Sequence, residues 1–397
     1  MHSPHRGRWQ APPGLVHFAL AMGGFAIGTT EFATMSLLPF FSQGLQIDEP
    51  TAGHVISAYA LGVVVGAPLL AVAGARISRR SLLLLLMALF GLANGLSALA
   101  PSYRWMLAFR FMSGLPHGAY FGVAALVAAS LVPPDKRTQA VGRLMLGLTV
   151  ATIVGVPLAN WLGQVAGWRW GFGVVAALAL LTVILIWCLA PRDAANRDAS
   201  PLRELSALKR GQVWLTLGIG AIGFGGLFAV YTYLASTLIE VTQAPASSVP
   251  WVLAIFGVGM TIGNLVIPRF ADRALMPTAG GLLAWSAITL AIYPFTVHNM
   301  FALSASIFAI GIGGALGTVL QTRLMDVAGE AQNLAAALNH SAFNFANALG
   351  PWLGGMAIAA GYGLPSTGLV GCGLALGGLL IWAISALSSR RAAAAYA

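Results

Sequence analysis

Twelve long apolar runs, each near the length of a membrane-crossing helix, alternate with short polar turns along this chain. We read them at about 15–41, 51–75, 80–99, 103–131, 139–165, 168–190, 212–239, 249–272, 278–297, 300–325, 331–360 and 365–387. An apolar helix of about 20 residues crosses the hydrocarbon core, and in lipid a helix satisfies its own backbone. Composition agrees, since 58% of the residues are hydrophobic and 8% charged. A soluble domain carries about 25% charged residues, so this chain has too few charges to cover a water-soluble globule. The expected class is an all-α membrane protein. Cys188 and Cys372 both lie inside apolar runs, where they are expected to pack as small apolar side chains.

The net charge of +10 raises the question of nucleic acid, and its placement answers it. Arg6 and Arg8 precede the first run. Arg76, Arg79 and Arg80 fill the turn after the second, and Lys136, Arg137 and Arg143 surround the turn after the fourth. Arg192, Arg197, Arg203, Lys209 and Arg210 occupy the interval after the sixth, and Arg390 and Arg391 end the chain. Every second connection is basic, and basic loops stay cytoplasmic. Both termini and the 6–7 linker are therefore expected on the cytoplasmic side of a bacterial inner membrane. The bilayer is the expected partner, and nucleic acid is not. The first run is too long for a signal peptide and lacks a small-residue cleavage site, so it is expected to remain as a helix.

The longest polar interval, 191–211, divides the runs six and six. Sliding the second half onto the first at an offset of 194 puts Arg273 on Arg79, Pro351 on Pro157 and Gly361 on Gly167. The shared offset predicts two related six-helix bundles, at 1–190 and 212–397 with 191–211 as linker. The architecture expected is thus twelve transmembrane helices in two pseudo-symmetric six-helix bundles.

Some polar side chains sit where they cost most. Glu31 lies within the first run, about 15 Å from its end at 1.5 Å per residue, and Arg110 lies about 12 Å below the same surface. They are the deep acid and the deep base of the chain. His117, seven residues beyond Arg110, falls about 20° away around the helix. Either the pair is a structural ion pair or it moves protons. The arginine favours the ionised carboxylate and desolvation the neutral acid, so the balance can change as a cavity opens. In the eleventh run His340, Asn344 and Asn347 share a helical face. Intramembrane polar groups face protein or a water-filled cavity, so this stripe is either a substrate surface or interhelical glue. Among the aromatics, Tyr120 and Tyr231 are candidates to line a cavity.

The segments "GTTEF" (28–32), "GARISRRSLL" (74–83), "RFMSGLPHGAYFG" (110–122), "LVPPDKRTQAV" (131–141), "GVPLANWLGQVAGWRW" (155–170) and "NHSAFNFANALGPWLGG" (339–355) resemble the major facilitator superfamily. Within it they are similar to the twelve-span drug:proton antiporters and arabinose-efflux-permease-like exporters, over nearly the whole chain. The resemblance implies that Arg110, with Gly114 and Gly118, is the arginine of the proton-transfer motif. It makes Arg79 part of the signature loop after the second span, although Ser78 stands at that loop's usual aspartate. The second-half copy keeps the acid as Asp272–Arg273, with Pro268 in place of its glycine. Such charges can pair with neighbouring helix ends and stabilise one closed arrangement, which makes these residues gating candidates. Gly147, Gly155, Pro157 and Gly163 match the antiporter motif in part, with Ala159 and Asn160 where paired glycines are common. Pro157 removes a backbone donor and permits a bend.

The function these observations favour is proton-coupled export of a small organic molecule, a drug, sugar or nucleoside-like metabolite, by alternating access. The alternative is uptake of a sugar or other metabolite by symport or facilitated diffusion. An embedded enzyme would need a nucleophile–base pair or a metal cluster, and the seven histidines are scattered along the sequence. No glycine-rich phosphate loop followed by Lys-Ser/Thr is present. Small-molecule substrate and protons are the expected ligands, with no cofactor, no metal and a monomeric state.

Overall fold

Short polar turns force consecutive apolar helices to run antiparallel, and a computed structural model shows the result over residues 11–47, 49–193 and 204–395. Arg6, Arg8, Arg197 and Arg203 lie outside the described residues. Eleven helices among the described residues are long and apolar enough to cross a membrane. They are α1 (Pro13–Met35), α2 (Thr51–Ala73), α3 (Arg79–Ala98), α4 (Tyr103–Ser130), α5 (Pro134–Val165), α6 (Trp168–Leu189), α7 (Gly211–Val241), α8 (Val249–Ala271), α9 (Leu275–Thr296), α10 (Met300–Val327) and α12 (Ser366–Ser389). Helix α11 (Gln332–Ala357) is 26 residues long but carries Asn339, His340, Asn344 and Asn347, and their polarity lowers its mean hydropathy. It is the twelfth span, held by protein on its polar side.

The packing repeats as the 194-residue offset predicts. In the first half α1 lies against α5 and α6, α2 against α4, and α3 against α6. In the second half α7 lies against α11 and α12, α8 against α10, and α9 against α12. Across the seam α2 meets α11, and its counterpart α8 meets α5. These are two pseudo-symmetric six-helix bundles in an all-α membrane fold.

Local sequence explains the irregularities. Below α1 the chain breaks at Leu37 and continues as a short helix, Leu38–Leu45, because Pro39 supplies no amide to the preceding turn. The first span is thus shorter than the 15–41 read from sequence. Helix α5 contains a π-turn at Ala151–Gly155 directly before Pro157, the kind of bulge a missing donor allows. Asn299 caps α10 by accepting hydrogen bonds from the amides of Phe301 and Ala302 at 2.9 and 3.0 Å.

The turns after α2, α4, α8 and α10 share one face with the linker, where Asp193 reaches the amides of Arg79 and Arg80 and Glu204 reaches α11. We call it the linker face. The seam is tight there. A Cβ on Gly118 would lie 2.7 Å from Ala67 Cβ and 3.1 Å from the Ala337 carbonyl, and one on Gly142 would lie 2.7 Å from the Asn264 carbonyl. Only glycine allows backbones this close. The first part of α5 packs along α8, whereas its continuation beyond Val156 does not. The halves are therefore closed on the linker face and splayed on the other.

Candidate functional site

Burying an arginine requires that its donors be met, and α4 does this with neutral groups. Arg110 is 1% exposed. Its Nη1 donates to Thr30 Oγ1 at 3.0 Å, Ser113 Oγ at 3.4 Å and Asn94 Oδ1 at 3.5 Å. Thr30 in turn donates to Asn94 Oδ1 at 2.8 Å. The guanidinium carbon lies 4.4 Å from the centre of the Tyr59 ring and 5.6 Å from that of Phe172, a flat cation between aromatic faces. Arg110 Nε has no hydrogen-bond partner. The expected partner, Glu31, does not take these bonds. Its neighbour Thr30 does, since residues 30 and 31 point about 100° apart on a helix. The bonds expected of Glu31 are thus made by Thr30 instead.

Glu31 faces the central cavity instead. This cavity, about 80 Å³ in volume, lies between α1, α4 and α5 on one side and α7, α8, α10 and α11 on the other. Glu31, Phe32, His117, Thr149, Tyr231, Asn264, Thr318, His340, Phe343 and Asn344 line it, with further Phe, Leu and Met side chains. Among the described residues Glu31 is the one acid on its walls, and no lysine or arginine lies there. Tyr231 meets Phe32 edge-on across the seam, ring centres 6.3 Å apart.

His117 completes a polar line through the seam. Its Nδ1 lies 2.9 Å from Tyr59 Oη, and its Nε2 lies 3.2 Å from His340 Nδ1. With Tyr59 as donor, neutral His117 carries hydrogen on Nε2 and gives it to His340. His340 then carries its own hydrogen on Nε2, which is buried and has no partner. The His340 ring stacks on Phe121, centres 4.2 Å apart, and Asn344 Nδ2 donates to the His340 carbonyl at 2.9 Å. The histidines scattered in sequence are thus paired in space. The signal that could have found them is the pair Gly118 and Gly122, which brings α4 against the small residues Ala336 and Ala337 of α11.

Other candidates separate. Asn347, half-buried, does not line the cavity. Tyr120 points away from it: fully buried, it donates to the Leu20 carbonyl at 2.8 Å, in space that Gly23 leaves open. Pro157 is exposed on the outer surface of α5. On the linker face the Asp272 carboxylate accepts from the Thr138 amide at 2.7 Å, the Gln139 amide at 3.3 Å and Gln139 Nε2 at 3.0 Å. An acid of α8 thereby caps α5 across the seam. Arg273 is exposed, and the Arg79 amide donates to Asp193 at 2.7 Å.

The family model described as Major Facilitator Superfamily matches residues 20–284 and 234–395. The chain belongs to the major facilitator superfamily. It is 41% identical over 362 residues to an inner membrane transport protein of Escherichia coli, YdhP, covering 90% of this chain and 93% of that one. A probable sugar efflux transporter of Helicobacter pylori is 30% identical over 366 residues, covering 90% and 92%. Among solved structures of the superfamily, the transporter FucP in its outward conformation matches with a TM-score of 0.76 at 16% identity, covering 94% and 98%.

Proposed function

We propose that this superfamily member is a proton-coupled exporter of a small organic molecule in the bacterial inner membrane. Both termini and the linker face are cytoplasmic in this reading. Residues 1–190 and 212–397 move as two units joined by 191–211, and the protein works as a monomer. The observation that carries the reading is Glu31: among the described residues it is the one acid on a cavity of otherwise apolar and neutral polar walls. One residue away, Thr30 holds the buried cation Arg110. Unpaired carboxylates at membrane depth are costly and mark ion or proton pathways. Protonated, Glu31 is neutral and tolerates closure of the cavity. Ionised, it favours water or a substrate carrying a donor.

Substrate contact falls to Tyr231, His340 and Asn344, with aromatic walls for the apolar part of the molecule. Export is favoured over uptake by the likeness to a probable sugar efflux transporter and to the drug:proton antiporter branch. The test is a panel of drugs, sugars and nucleosides offered to the purified protein in liposomes under an imposed pH gradient. Glu31→Gln keeps substrate binding and exchange down a substrate gradient, and loses pH-driven accumulation. Full proton-driven transport by that variant would reject the proposal.

A further inference from the structure

Ser78 leaves the first signature loop without its acid, and another acid meets the helix start that position 78 would face by the internal repeat. On the intact side, Asp272 accepts from the amides of Thr138 and Gln139 at the start of α5. The 194-residue offset carries 272 to 78, and 138–140 to 332–334, the start of α11. No carboxylate comes from position 78. Instead Glu204, at the end of the linker, accepts from the Leu334 amide at 3.0 Å and from Asn333 Nδ2 at 2.8 Å. Glu204 is 6% exposed.

Its position is built. It precedes the short helix Leu205–Lys209, whose Ala207 is fully buried in one cluster with Ala67 and Ala71 of α2 and Leu334 and Ala335 of α11. The linker therefore enters the α2–α11 seam where the two halves meet. We propose that Glu204 is a gating residue, supplied by the linker in place of the acid missing at position 78, that selectively stabilises the state closed on the linker face. The reason is the Leu334 amide. It belongs to the first turn of α11, where amides have no partner within the helix. With the seam closed, Leu334 is buried and Glu204 meets its amide; a buried donor left unmet is costly. With the seam open, water can meet it. Loss of Glu204 thus penalises the closed state far more than the open one.

The inference rests on alternating access but not on proton coupling or substrate. Its test uses the purified full-length protein with Cys188 and Cys372 replaced by alanine and a single reporter cysteine. The reporter is either Ala71→Cys in the linker-face seam or Asn160→Cys towards the other face. In Glu204→Ala the alkylation rate at position 71 rises roughly tenfold, the effect of one lost cap, and the rate at 160 falls. Glu204→Gln, which keeps one accepting oxygen without charge, shifts both in the same directions by less, and is read alone if the alanine variant does not fold. Unchanged rates, or rates that rise at both reporters as in a loosened fold, overturn the proposal. Neither result bears on Glu31, which the transport assay tests separately.

Discussion

His117 Nε2 and His340 Nδ1 lie 3.2 Å apart, one from each six-helix half. Two imidazoles buried this way depend on each other, because removing either leaves a ring nitrogen of the other without its protein partner. Each single substitution to alanine is expected to cost about 1–3 kcal/mol. The double variant is expected to cost less than the sum, with a coupling of about 1 kcal/mol. A double-mutant cycle of unfolding in detergent measures it. Additivity within about 0.3 kcal/mol would mean that the bond contributes nothing.

Arg110→Lys keeps the charge and loses the shape. An ammonium cannot lie flat between Tyr59 and Phe172 while reaching Thr30, Asn94 and Ser113, and the two cations are not interchangeable at stacked sites. Proton-driven transport is expected to fall by at least about tenfold, with the purified protein still monodisperse. A lysine variant with unchanged transport would show that only the charge matters.

Gly118 tests the tight side of the seam. A valine there brings its Cβ against Ala67 and the Ala337 carbonyl, and a carbonyl of a packed helix cannot give way as a flexible side chain would. Gly118→Val is expected to fold but to be unable to close on the linker face, so Ala71→Cys becomes reactive and transport stops. Closure with normal transport would show that the seam is more compliant than its geometry implies.

Topology is open to a direct check. Single cysteines at Ser247, exposed in the turn before α8, and at Ser200 in the linker are expected to label from opposite sides of the membrane. Ser247 should react from outside in intact cells and Ser200 should not. Reaction of both from outside would overturn the cytoplasmic linker and the direction of transport with it.

Much of this was legible because membrane folds are set by long-period signals. The twelve runs and the six-and-six division follow from apolar length and from the polar interval at 191–211. The likeness to the signature loop marks Ser78 as the place of a missing acid, and the 194-residue offset pairs it with Asp272. What stayed hidden depends on side-chain direction and long-range meeting. Glu31 and Thr30 are neighbours, yet 100° of helix turn gives one to the cavity and the other to Arg110. His117 and His340 are 223 residues apart, beyond any local spacing rule. Tyr120 looks like a cavity aromatic in sequence because its partners are a backbone carbonyl, that of Leu20, and the gap left by Gly23. Glu204 carried no motif at all, and its role exists only where the linker enters the seam.

The α11 stripe gives the last test, because sequence treats Asn344 and Asn347 alike and the structure does not. Both lie on the face that begins at His340, but only its part from His340 to Asn344 meets open space. Asn344 is 7% exposed, lines the cavity and uses one amide hydrogen on the His340 carbonyl. Its oxygen and second hydrogen remain for a ligand. Asn347, a turn closer to the splayed end, does not line the cavity. With whichever compound the liposome panel identifies, Asn344→Ala is expected to weaken binding roughly tenfold, the loss of a hydrogen bond or two to a desolvated ligand. Asn347→Ala is expected to stay within about twofold, with any deficit appearing as a small loss of stability. Binding by isothermal titration and unfolding in the same detergent separate the two effects. Equal weakening by both variants would extend the substrate path along α11, and equal loss of stability without change in affinity would make the whole stripe glue.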